Sequence, residues 1–91
     1  MLRRIHVFVS GRVQGVAFRW VTEDIAQNLG VLGWVRNLRD GRVEVMAEGE
    51  EGTLNQFIEF LQHGPRHAKV SDIHIEWVEY KGEFNTFEIR F

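Results

Sequence analysis

Apolar residues in this chain recur at two different spacings, and the points where one gives way to the other set the order of its elements. Ile5, Val7 and Val9 alternate with His6, Phe8 and Ser10, the pattern of a half-buried strand. Phe18, Val21, Ile25 and Leu29 then recur at helical spacing, and Gly30 is placed to end that helix in a left-handed turn. Leu32 to Leu38 and Arg42 to Glu48 read as two strands joined by Arg39-Asp40-Gly41, because Asp-Gly between alternating runs is a strong hairpin signal. In the second of these, Val43, Val45 and Ala47 share one face and Arg42, Glu44 and Glu48 the other. Leu54, Phe57, Ile58 and Leu61 form the stripe of a second helix, which Gly64-Pro65 stops. Its start has two readings: Thr53 to Gln56 as a capping box, or Glu50 and Glu51 in the first turn, complementing the helix dipole. Val70 to Tyr80 predicts a long strand with Ile73, Ile75 and Trp77 on one face. Phe87, Ile89 and Phe91 predict a short last strand after a turn near Lys81-Gly82.

The order is β-α-β-β-α-β with a short strand appended. Two helices on one face of an antiparallel sheet would bury both apolar stripes and leave the opposite face, with Glu44 and Glu76, to water. That is an α+β, ferredoxin-like βαββαβ sandwich. A chain of 91 residues holds one such domain, spanning 1–91, with no linker or repeat. The 44% hydrophobic content and single proline exclude a disordered chain and a collagen-like repeat. Without cysteine there is no disulfide scaffold, thiolate zinc site or cysteine nucleophile. No apolar run approaches the ~20 residues that span a bilayer. Met1 to Ser10, with Arg3, Arg4 and His6, is too short and charged for a secretory signal. A cytoplasmic monomer is expected.

The net charge of −2 argues against general nucleic-acid binding, which needs a basic face. The total conceals an asymmetry: residues 1–45 carry seven arginines against four carboxylates, whereas residues 46–91 carry four basic side chains against nine acidic ones. The first half could attract a small anion, or the surface could simply be unevenly charged.

Gly11 to Arg19 runs from the end of a predicted strand into a predicted helix. Its two glycines allow a tight turn and close approach to a ligand. Successive main-chain N–H groups in such a loop can point inward as an anion nest, and the helix N-terminus adds its positive end. Arg19 could complete the cradle with a bidentate grip on phosphate oxygens. The same loop could also be a plain connection with an exposed arginine.

Gly-x-Val-Gln-Gly-Val-x-Phe-Arg, filled by Gly11, Val13, Gln14, Gly15, Val16, Phe18 and Arg19, resembles the phosphate-loop signature of the acylphosphatases. A second signature of that family is matched by Gly33-Trp34-Val35-Arg36-Asn37, Asp40-Gly41, Val43 and Gly49, and the tail Gly64-Pro65-x-x-Ala68-x-Val70 is similar too. Leu38 stands where some members are polar. The likeness covers essentially the whole chain.

The resemblance implies hydrolysis of an acyl phosphate to a carboxylate and inorganic phosphate, with no metal and no organic cofactor. It implies catalytic roles for Arg19 and Asn37, and a phosphate site formed by Gln14, Gly15, Val16, Ala17, Phe18 and Arg19. The amides and Arg19 would hold the phosphoryl oxygens, while Asn37 would orient the attacking water. A mixed anhydride has a good leaving group, so positioning and charge stabilisation suffice.

Other residues invite different readings. His63 and His67 are four apart, but Gly64-Pro65 breaks the helix that would pair them on a metal. His6 and His74 are expected on the exposed sheet face, and Glu23-Asp24 on a solvated helix face. Ser10 and Ser71 have no base partner. Trp20, Trp34 and Trp77 are expected in core or sheet-edge packing rather than base stacking. An RNA-recognition domain would need an aromatic run where Arg42-Val43-Glu44-Val45-Met46 stands. The remaining rival is an anion-binding regulatory domain without turnover.

Overall fold

A computed structural model describes all residues 1–91. The elements are β1 (Leu2–Arg12), α1 (Phe18–Leu29), β2 (Leu32–Asn37), β3 (Val43–Glu50), α2 (Glu51–His63), β4 (Lys69–Val78) and β5 (Phe87–Arg90). The sheet order is β4-β1-β3-β2-β5. The first four strands pair antiparallel, as the expected ferredoxin-like core requires. The appended strand makes the sheet mixed, because β5 lies parallel to β2.

Period-two alternation sends Ile5, Val7, Val9, Val35, Val43, Val45 and Ala47 to one face, where all are fully buried. Against them pack Phe18 and Ala26 of α1 and Leu54, Phe57, Ile58 and Leu61 of α2. The stripe of α1 is rotated from the expected one. Thr22 and Ala26 lie at its buried centre, while Val21, Ile25 and Leu29 are only half-buried. Thr22 is small enough to sit beneath the sheet, although its Oγ1 finds no partner there. In α2, Glu51 occupies the first turn, so Thr53 is inside the helix rather than at a capping box.

The opposite face is not simply left to water. Glu76 is exposed, but Glu44 and Glu48 are 6% and 2% exposed. Glu44 is held between Arg36 Nε and His6 Nε2, each at 2.6 Å, so His6 is half-buried. Glu48 is covered because residues 79–86 do not turn back beside β4. They cross this face to reach the far edge, and the amides of Lys81 and Gly82 donate to Glu48 Oε2 at 2.9 and 3.1 Å. Arg4, 6% exposed, donates to Glu83 at 2.6 Å and lies 5.1 Å from the Phe84 ring centroid. No helix is long and apolar enough to cross a membrane.

Candidate active site

β1 leads into the loop through a bulge, where its register with β4 shifts between Ser10 and Gly11. Gly11 has φ 121°, and a side chain there would collide with the Lys69 carbonyl and the Ser71 amide. Val13 and Phe18, both buried, anchor the two ends of the loop in the core. Between them the chain turns through left-handed residues, Gly15 at φ 73° and Ala17 at φ 61°. No main-chain N–H from Val13 to Trp20 donates to a protein acceptor; the first that does is Val21, to Ala17 at 3.1 Å. The loop's main-chain donors are therefore uncommitted within the protein, and they lie next to the positive end of α1.

A cleft of ≈ 460 Å³ lies against this loop, lined by Val13, Gly15, Ala17, Phe18, Arg19, Trp20 and Asn37. Arg19 forms no ion pair with Glu23, Asp24 or any other carboxylate; its guanidinium lies 4.9 Å from the Phe91 ring centroid. Asn37 ends β2, paired with Val43, and its buried Oδ1 has no protein hydrogen-bond partner. An unpartnered buried acceptor costs about 1–3 kcal/mol, an arrangement that stability alone does not favour.

Arg19 and Asn37, predicted from distant parts of the sequence, thus share one cleft. Gly15, Ala17 and Phe18 also line it, whereas Gln14 and Val16 do not. The Val16 side chain packs on the core, and the Gln14 side-chain amide donates to the carbonyls of Leu38 and Arg42. Trp20 departs from its expected packing: it is 68% exposed at the cleft. Its place off the apolar stripe and next to Arg19 was the available signal. Trp34 is buried as expected, beneath Arg36 and Arg90.

The acylphosphatase family model matches residues 5–89. The chain belongs to the acylphosphatase family. An acylphosphatase of Pyrobaculum calidifontis is 52% identical over 89 residues, covering 97% of this chain and 81% of that one. Among solved structures, the Bacillus subtilis acylphosphatase superposes with a TM-score of 0.94 at 38% identity, covering all of both chains. The Coxiella burnetii acylphosphatase gives 0.93 at 39% identity, covering 98% of this chain and 93% of that one. In this family member the cleft has the 13–20 loop on one side and Asn37 on the other.

Proposed function

We propose that this chain hydrolyses acyl phosphates to a carboxylate and inorganic phosphate in the cleft between the 13–20 loop and Asn37. The observation that carries the reading is the run of main-chain N–H groups, uncommitted within the protein, that opens beside an unpaired Arg19. Those donors and the guanidinium bind the phosphoryl oxygens and stabilise the charge that moves among them as the bond to the acyl oxygen breaks. The carboxylate leaves without needing a strong acid.

Asn37 orients the water for attack in line with the departing carboxylate. Its amide is no useful base near neutrality, so the water gives up its proton late, to an oxygen of the transferred phosphate. The reaction uses small soluble partners only and neither metal nor organic cofactor; the acting form is a cytoplasmic monomer.

The decisive experiment is benzoyl phosphate hydrolysis by purified protein, with inorganic phosphate as competitor and EDTA present. Turnover with competitive phosphate inhibition is expected. Arg19→Ala should lose about 10²-fold or more in kcat/KM and weaken phosphate binding. Asn37→Ala should keep phosphate inhibition while losing about 10²–10³-fold in kcat. Phosphate binding without turnover would favour the regulatory-domain reading instead.

A further inference from the structure

We propose that the Gln14 side chain is a positioning residue that sets the separation between the phosphate loop and Asn37, and hence the line of attack, without touching substrate. This rests on the function proposed above and assigns the side chain a task distinct from that of the Gln14 main-chain amide. Gln14 Nε2 donates one hydrogen to Leu38 O at 2.7 Å and the other to Arg42 O at 2.9 Å. These two carbonyls close the β2–β3 turn. Leu38 N donates to Arg42 O at 2.8 Å, and Gly41 N to Leu38 O at 3.2 Å. Each carbonyl therefore accepts twice. A reversed amide would set Oε1 against two oxygens, so only one orientation of Gln14 is compatible with the turn.

The sheet order shows why such a grip matters. The loop follows β1 and Asn37 ends β2, but β3 lies between those strands. The two walls of the cleft are therefore not neighbours in the ladder. The Gln14 side chain makes the only hydrogen bonds between residues 13–17 and residues 38–42. It takes hold immediately beside Asn37, whose own Oδ1 has no protein partner to fix it. Releasing the grip frees the water-orienting side chain relative to a bound phosphoryl group. A shift of about 1 Å in such a geometry costs on the order of 10²-fold in rate.

The test compares benzoyl phosphate hydrolysis and phosphate inhibition in the wild type, Gln14→Ala, Asn37→Ala and the double variant. Gln14→Ala should lower kcat about ten- to a hundredfold while the phosphate inhibition constant stays within about threefold. Added to Asn37→Ala, it should cost nothing further, because both changes remove the same function. Gln14→Glu supplies no donor when ionised and one when protonated, so its kcat relative to wild type should rise as pH falls through the carboxyl range.

An unchanged kcat in Gln14→Ala overturns the proposal. So does a loss of phosphate affinity matching the loss of kcat, or a full multiplicative loss in the Asn37→Ala background. Should Gln14→Ala fail to fold, the Gln14→Glu pH profile decides, and a flat ratio overturns it. A wild type that does not hydrolyse the substrate sinks the proposed function itself. An active wild type with an indifferent Gln14 sinks only the positioning role.

Discussion

Ala17 is the one non-glycine residue with positive φ, and it sits where the loop becomes α1. A left-handed residue with a Cβ costs roughly 1–2 kcal/mol, which the buried anchors Val13 and Phe18 hold in place. Ala17→Gly should therefore raise stability by about 1 kcal/mol with phosphate inhibition unchanged, and Ala17→Val should lower it by about 1–2 kcal/mol. Urea unfolding measures both; equal stability of the two variants would contradict the strain. At this scale Arg19 and Asn37 stood out as candidates because they sit in long ordered signatures. The exposure of Trp20 was not, since a tryptophan ordinarily earns its place by packing, and only its offset from the stripe argued otherwise.

Among the elements, strand and helix periods were readable because each records which side chains face the core. What the far side of the sheet does with its charges was not. In β3, Glu44 has the alternation of a solvated residue, yet His6 from β1 and Arg36 from β2 enclose it. Those partners come from strands that pairing alone brings together. Burial pushes the Glu44 carboxyl upward, but the hydrogen bonds from His6 and Arg36 outweigh it and hold the pKa below its ordinary 4.5.

A lowered folded-state pKa means the stabilisation is fully present above pH 4.5. As pH falls below that value the unfolded chain takes up its proton first, and the contribution disappears by the time the folded carboxyl is protonated. Glu44→Gln should cost on the order of 2 kcal/mol at neutral pH. That difference from wild type should shrink in acid, as urea unfolding across the range would record. A gap independent of pH would remove the carboxylate from the account.

For the whole molecule, the least legible feature is the crossing of residues 79–86. It depends on Arg4 meeting Glu83, 79 positions away, and on Glu48 collecting two amides from the crossing chain. No local pattern encodes either contact. Because Glu48 is buried between Arg4 Nη1, at 3.5 Å, and those amides, Glu48→Ala should destabilise the fold by about 3 kcal/mol. Hydrogen exchange should accelerate most at Lys81, Gly82 and β5, with smaller changes in α2. Uniform acceleration throughout would show that the crossing is not a separate unit of stability.

The phosphate site proposed at the uncommitted amides from Val13 to Trp20 would also tie folding to the surrounding medium. An anion seated there adds its binding free energy to the native state alone, about 2.7 kcal/mol when phosphate stands at a hundred times its Kd. Melting temperatures recorded in phosphate and in an amine buffer would then differ for the same sample, with the gap narrowing in Arg19→Ala. On the proposed function, storage conditions would become part of this protein's thermodynamics, and inorganic phosphate would act on it as a folding aid as well as a product.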